Sequence, residues 1–204
     1  MATTTYQSAV ERVALECLNR TDLDVQIQAG IQATIRRYEG QRFWFNESST
    51  VLTASVSTET VAVPTDFLFL DQIRVTENSA DLPLVWAPFS LIRQINLNHA
   101  VGLPTRYHIY GQNFYLANVP DSAYALPTFY VHRLPQLVNP TDTNSWLSAA
   151  EDVLVFGAAS YVSALIGDLP NAEKWKANEL TFFQQDLLWK RDAYGGGRLT
   201  MTRF

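Results

Sequence analysis

The chain has 204 residues, with 15 Lys and Arg against 20 Asp and Glu, which gives a formal net charge of -5. Its hydrophobic fraction of 47% indicates a folded globular protein, of a length that fits one domain or one domain with a sizeable insertion. The single cysteine, Cys17, excludes an internal disulfide and a cysteine-rich zinc site. Neither a membrane span nor a secretory signal is expected, and the acidic balance argues against a general nucleic-acid binder.

The N-terminal segment, residues 1–45, is predicted to form a helical hairpin. Thr21 is the expected N-cap of the second helix, with Asp22 and Asp24 in its first turn, where the helix dipole favours acidic side chains. Gly40 is the expected end of that helix. The apolar positions at helical spacing are Tyr6, Val10, Val13, Cys17 and Leu18 in the first helix and Ile27, Ile31, Ile35 and Tyr38 in the second.

The middle of the chain, residues 46–140, carries the short alternating patterns that are typical of β-strands. One short helix is predicted at residues 90–97, and Gly111-Gln112-Asn113 indicates a hairpin turn. Pro127 lies within the last strand pattern, where a missing N–H favours an edge strand or a bulge. The predicted strands are residues 51–56, 60–63, 67–75, 82–86, 106–110, 114–117 and 125–133.

Residues 141–192 return to a helical pattern. Asn144 or Ser145 is the expected N-cap of a buried helix that runs to about Ile166. Its small residues, at positions 157–160, would let another helix approach closely. Gly167 is expected to end this helix, and Pro170 begins a final helix with an aromatic apolar face.

These patterns predict an α+β fold in which helices from both ends of the chain form a bundle and the β-rich segment is a sandwich-like or barrel-like insertion. Residues 193–204 are predicted to be a flexible C-terminal arm. Leu199, Met201 and Phe204 alternate with polar residues after Gly195-Gly196-Gly197, a pattern that suits ordering on a partner by sheet addition or groove binding.

The sequence offers little support for catalysis, and no catalytic residue, metal or cofactor is predicted. The histidines His99, His108 and His132 lack nearby acids or thiols at ligand spacing. Cys17 lies on an apolar helix face, which favours a buried inert thiol. Glu39 and Glu47 flank an aromatic stretch and could in principle form a glycosidase pair, although solvated surface carboxylates are the simpler interpretation.

The aromatic run Phe43-Trp44-Phe45 concerns contact rather than chemistry. Alternating burial would place Phe43 and Phe45 in the core and Trp44 outside, as a core or staple element. The alternative is a contact between subunits made by Arg42 and Trp44, since Arg and Trp are favoured at the centres of protein interfaces.

Several motifs, spread over residues 10–190, follow the order and spacing found in one known family. They are Pro64-Thr65-Asp66-Phe67-Leu68, Gly102-Leu103-Pro104-Thr105-Arg106-Tyr107-His108-Ile109, Leu116, Pro120, the segment Phe129 to Pro135, Asn144-Ser145-Trp146-Leu147, the stretch Asp152 to Tyr161, and Trp175. Taken together, they resemble the head-to-tail adaptor proteins of short-tailed bacteriophages. Pro127 departs from the polar strand position that is usual in that family.

The resemblance implies a structural role without catalysis or a cofactor. Such adaptors form a ring, usually of twelve copies, beneath the portal ring of the capsid, with helices around an axial DNA channel and the β-rich part towards tail or nozzle proteins. The expected location is the virion, after assembly in the host cytoplasm. C-terminal arms in this family commonly contact the portal, which here implies Tyr194, Arg198, Leu199, Met201, Arg203 and Phe204.

Two other classes of function stay open at this point. A virion-associated enzyme that degrades the cell wall would use Glu39 or Glu47 and would clear peptidoglycan. A generic α+β binding module would instead hold a small ligand in its β-rich part.

Overall fold

A computed structural model describes residues 4–17 and 20–194 of the chain. It divides into two compact units, one built from the chain up to Asn46 and from Leu134 onwards, the other from Glu47–Arg133. The first unit is helical, whereas the second holds both β-sheets and one helix. The predicted α+β class, with helices at both ends and a β-rich middle, is therefore confirmed.

Seven α-helices lie in the described residues, and all but α3 belong to the helical unit. A short 3-10 turn, Thr21–Leu23, precedes α2, and a six-residue π-helical segment, Phe183–Leu188, joins α6 to α7. The helices are α1 Tyr6–Glu16, α2 Asp24–Tyr38, α3 Phe89–Leu97, α4 Ser145–Ala149, α5 Glu151–Leu165, α6 Leu169–Phe182 and α7 Trp189–Tyr194.

Two predicted helix boundaries are wrong. Thr21 begins the 3-10 turn rather than capping α2, which starts at Asp24. The side chain of Asn144 does accept the backbone N–H groups of Trp146 and Leu147, as expected of an N-cap. However, the helix that it caps ends at Ala149, because Ala150 leaves the helical region with φ of -141°, and α5 begins as a separate helix.

Helix α5 packs closely against α2 and α6, which confirms the prediction made from its small residues. A Cβ atom added at Gly30 of α2 would lie 3.1 Å from the backbone of Ala158, and one added at Gly157 would lie 2.5 Å from the side chain of Thr34. On the α6 side, the Ser160 hydroxyl donates to the carbonyl of Ala172 at 2.9 Å. The small residues therefore set the spacing of the helices.

Gly157→Ala is expected to destabilise the helical unit by about 1–3 kcal/mol, because the new methyl group would overlap Thr34. Chemical denaturation of the full chain measures this change. The second substitution Thr34→Ala should recover part of the loss, since it removes the overlapping atoms. Gly40→Ala is the control, because a Cβ added there meets nothing within 4 Å. Equal effects of the two glycine substitutions would contradict the argument.

The π-helical segment lets neighbouring aromatic side chains reach two different helices. Phe182 stacks on Phe156 of α5 with ring centroids 5.3 Å apart, and Phe183 stacks on Tyr38 of α2 at 4.5 Å. Leu187 is fully buried in the same core. A widened helical turn thus supports a continuous aromatic core from α5 to α2.

Residues 134–143, here called the strap, belong to the helical unit, although the β-rich insertion was predicted to extend to residue 140. The strap hydrogen-bonds to the N-terminus of α1. The backbone N–H groups of Tyr6 and Gln7 donate to the carbonyls of Asp142 and Pro140, each at 2.9 Å. These bonds satisfy donors that an α-helix leaves free at its first turn.

The β unit contains two four-stranded sheets whose apolar side chains share one core, as in a sandwich. Their strand orders are β1-β8-β3-β4 and β2-β7-β6-β5, and the pairs are antiparallel except for β5 with β6. The strands are β1 Glu47–Ala54, β2 Thr60–Ala62, β3 Phe67–Glu77, β4 Ala80–Pro83, β5 Val85–Trp86, β6 Arg106–Tyr110, β7 Asn113–Ala117 and β8 Tyr124–His132.

The predicted strand 82–86 is in fact divided between the two sheets. Leu84 is buried at the crossing point, where its N–H donates to the Ile73 carbonyl of the first sheet at 3.0 Å. The next N–H, that of Val85, donates to the Thr105 carbonyl beside the second sheet at 3.1 Å. The chain thus changes sheets within two residues.

The prediction that Pro127 marks an edge strand or a bulge is wrong, because β8 lies inside its sheet between β1 and β3 and keeps a regular register with β1 at this position. Pro127 pairs with Val51 of β1. The irregularities of the ladder lie in β3 instead, where the register shifts between Phe67 and Phe69 and again between Leu70 and Gln72. Bulges of this kind bend a strand locally and increase its twist.

Candidate assembly surfaces

An aromatic cluster holds the segment after α2 against the C-terminal helices. Phe43 is fully buried, and its ring lies 5.1 Å from Phe45 and 5.5 Å from Trp146. Phe45 also meets Trp146 edge to face at 5.1 Å. Phe43 therefore has the core role that the sequence predicted, and Phe45 packs against the same core while half-buried.

Trp44 is half-buried and connects this cluster to the end of α7. Its ring contacts Phe45 edge to face at 5.1 Å and stacks on Tyr194 at 5.4 Å. Tyr194 had been assigned to the C-terminal arm, but it is the last residue of α7 and stays 72% exposed. Trp44 and Tyr194 thus form a stacked aromatic pair at the C-terminal end of α7, in which Trp44 is half-buried and Tyr194 is exposed.

Of the remaining predicted contact residues, the structure describes one. Arg42 is half-buried beside the aromatic run. The other five predicted portal-binding residues, Arg198, Leu199, Met201, Arg203 and Phe204, lie outside the described residues.

A buried carboxylate connects α6 to α2 within the helical unit. Glu179 is fully buried and pairs with Arg37 of α2 and, at 2.8 Å, with Lys176 of its own helix. It also accepts a hydrogen bond from the Tyr38 hydroxyl at 2.7 Å. Burial, together with the neighbouring Glu179 carboxylate, raises the pKa of Tyr38 to about 12. The phenol therefore stays neutral as a donor, and the network fixes how the two helices meet.

Other large apolar side chains are exposed on the helical unit. Trp189 of α7 is 68% exposed. Around the turn at Gly167, which has φ of 82°, three aliphatic side chains face solvent: Leu165, Ile166 and Leu169. Exposed apolar side chains grouped in this way are typical of surfaces that contact other proteins.

The β unit carries a row of aromatic rings that was not singled out from the sequence. Trp86 and His108 lie 5.7 Å apart, His108 and Phe89 5.6 Å, and Phe89 stacks on Tyr110 at 4.9 Å. Trp86 and Tyr110, at the two ends of the row, are 58% and 60% exposed. The Nδ1 atom of His108 lies 2.8 Å from the Ala87 carbonyl, so Nδ1 carries the proton and orients the ring.

The residues considered for catalysis or metal binding are spread over several elements of both units. His132 lies 3.3 Å from a carboxylate oxygen of Asp66, whereas His99 is in the loop after α3. Glu39 follows α2 in the helical unit, and Glu47 begins β1 in the β unit. Within residues 4–17 and 20–194, no group of three or more His, Cys, Asp or Glu side chains could hold a metal ion.

Cys17, the remaining candidate nucleophile, is buried at the C-terminal end of α1. Burial raises the pKa of its thiol, which disfavours the reactive thiolate. In the described part of the chain, no helix combines the length and the apolar character needed to cross a membrane.

The described surfaces thus offer contacts for other proteins, and a match to one protein family agrees with this. Comparison with curated proteins gave no match. A family model described as SU10 adaptor protein matches residues 4–196, which takes in both the helical unit and the β unit. The earlier resemblance to phage adaptors is therefore confirmed. On a match of this extent, the chain belongs to the SU10 adaptor protein family and is a structural adaptor protein of bacteriophages.

Proposed function

We propose that this chain forms a closed ring of twelve copies beneath the portal, joining the capsid to the tail of a short-tailed phage. The observation that carries the proposal is the family match over residues 4–196, since it includes every described element. A ring of identical subunits needs two different complementary surfaces on each copy. The exposed aromatic and aliphatic side chains of the helical unit supply candidate surfaces, and the half-buried Trp44 and Arg42 supply another.

The helical unit would then line the axial channel through which DNA leaves the capsid, and the β unit would contact tail or nozzle proteins. A net charge of -5 suits a channel that lets DNA pass without binding it, because tight binding needs many cationic contacts to phosphates. The aromatic row from Trp86 to Tyr110 offers the β unit an anchor for a neighbouring protein. The ring would assemble in the host cytoplasm and stay in the virion at the capsid–tail junction.

Electron microscopy of the full chain mixed with the portal protein of the same phage tests this proposal. The expected image is a twelve-fold ring that extends the portal ring at one end. The portal alone is the control for its own symmetry and length. Absence of association across a range of salt concentrations would refute the proposed role.

Removing residues 195–204 is expected to weaken portal binding by about tenfold or more, which corresponds to about 1.4 kcal/mol. The free energy of unfolding should stay the same, since the truncated chain keeps the stack of Trp44 on Tyr194. Sedimentation with portal rings measures binding, and chemical denaturation measures stability. A second truncation, before Tyr194, removes the stack as well and serves as the comparison. Full portal affinity in the first truncation would show that the arm has no part in binding.

A further inference from the structure

A groove runs along the helical unit between α2 and the strap. Its volume is about 420 Å³, and one face of α2, from Val25 through Gln28 and Gln32 to Arg36, forms its wall. Val138 of the strap is exposed at the opposite rim. The groove is polar along its length and apolar at its rims, and Arg36 makes no ion pair within the described residues.

Helix α6 of the same unit carries a stripe of exposed side chains. Leu169, Glu173, Ala177 and Leu180 are all exposed and recur at spacings of three and four, so they share one helix face. The buried side of α6 is formed by other residues, such as Trp175, which stacks on Phe156 of α5. Glu173 has no hydrogen bond or ion pair among the described residues.

We infer that the α6 stripe of one copy docks into the α2–strap groove of the next copy around the ring. This inference rests on the proposed ring and names the contact that builds it. Charge complementarity carries the inference, because Glu173 on the stripe and Arg36 in the groove are opposite in sign and neither forms an ion pair with another described residue. On the stripe, Leu169 and Ala177 lie one turn on either side of Glu173, and docking would remove water from the pair and so strengthen the attraction between the two charges.

The two surfaces also match in length. Leu169 to Leu180 and Val25 to Arg36 cover the same number of residues, and each spans about 16 Å at the rise of an α-helix. With Glu173 opposite Arg36, an antiparallel arrangement brings Leu180 opposite Ala29, about one helical turn from Val25, and Leu169 just past the C-terminal end of α2. Because stripe and groove lie on different helices, the contact is heterologous and can close into a ring.

Charge reversal and disulfide trapping test the contact in the full chain, with and without the portal. Arg36→Glu and Glu173→Arg should each raise the concentration for half-assembly about tenfold or more, because each places like charges together. The double reversal should restore assembly to near the parental level. A variant with Arg36→Cys and Glu173→Cys should give a ladder of covalent multimers on oxidation, whereas either single cysteine should not.

Matched reversals in the β unit, Arg106→Glu and Glu77→Arg, control for the change in net charge, and circular dichroism confirms folding. Single reversals that assemble like the parent, together with no ladder from the cysteine pair, would overturn this contact while leaving the ring in place. A parent chain that fails to assemble even on the portal would overturn the proposed function, and this contact with it.

Discussion

Glu179→Ala is expected to lower the free energy of unfolding by about 3 kcal/mol. The substitution removes a fully buried carboxylate that accepts from Tyr38 and pairs with Arg37 and Lys176. Breaking a buried ion pair from one side costs about 3–5 kcal/mol when the remaining charge stays buried. The side chains of Arg37 and Lys176 are 41% and 38% exposed, so they can regain water, which places the loss at the lower end of this range.

Chemical denaturation of the full chain measures the effect, and Glu173→Ala on the exposed face of the same helix is the control. That control should change stability by less than about 0.5 kcal/mol. Glu179→Gln keeps an acceptor for the Tyr38 hydroxyl and should therefore fall between the parent and Glu179→Ala. A loss below about 1 kcal/mol for Glu179→Ala would mean that the network contributes little to stability.

Trp146→Ala is expected to cost about 3–5 kcal/mol, the range found for deleting a large aromatic side chain from a core. Trp146 is 1% exposed, and both Phe43 and Phe45 meet it edge to face. Without the Trp146 ring, Phe43 and Phe45 lose a packing partner, and the aromatic run that includes Trp44 is less firmly held. Loss of assembly should therefore accompany loss of stability.

Thermal or chemical denaturation, read by circular dichroism, follows this substitution, and Trp189→Ala is the matched control. Trp189 is 68% exposed, so its removal should leave stability within about 0.5 kcal/mol of the parent. Similar losses for the two tryptophans would contradict the assignment of Trp146 to the core.

Local patterns in the sequence predicted most of the elements correctly. The pattern of side chains predicts a strand at residues 106–110, and the structure has β6 at Arg106–Tyr110. The turn at Gly111 joins β6 to β7 as expected. Gly111 has φ of 61°, a conformation that glycine adopts without steric cost. Such features depend on neighbours in the chain, which is why composition and spacing are sufficient to find them.

Features that depend on distant residues were missed. Nothing at Ala150 indicates a break, since alanine is the best helix former, yet α4 and α5 separate there. The position of Pro127 in an inner strand depends on which strands flank β8. Strand order is a long-range property that a single strand pattern does not contain.

The candidate surfaces likewise combine features set by neighbouring residues, which the sequence predicts, with contacts between distant residues, which it does not. Phe43 could be assigned to the core from the local sequence, whereas the contact of Trp44 with Tyr194 joins residues from opposite ends of the chain. In the β unit, His108 and Tyr110 share a face by simple alternation, but Trp86 and Phe89 come from an earlier segment. Any one stretch of sequence therefore contains only two of the four rings of the aromatic row.

The pairing of β1 with β8 has a consequence for how this protein could have evolved. The β unit begins at Glu47 and ends at Arg133, and Glu47 pairs directly with Val131. Arg133 lies two residues beyond that pair, so the points where the chain enters and leaves the unit are only about 8 Å apart. A segment whose ends meet so closely can be lost, gained or exchanged through a short turn without moving the helices that precede and follow it. The inserted sheets can therefore change in sequence or size while the helical unit stays intact.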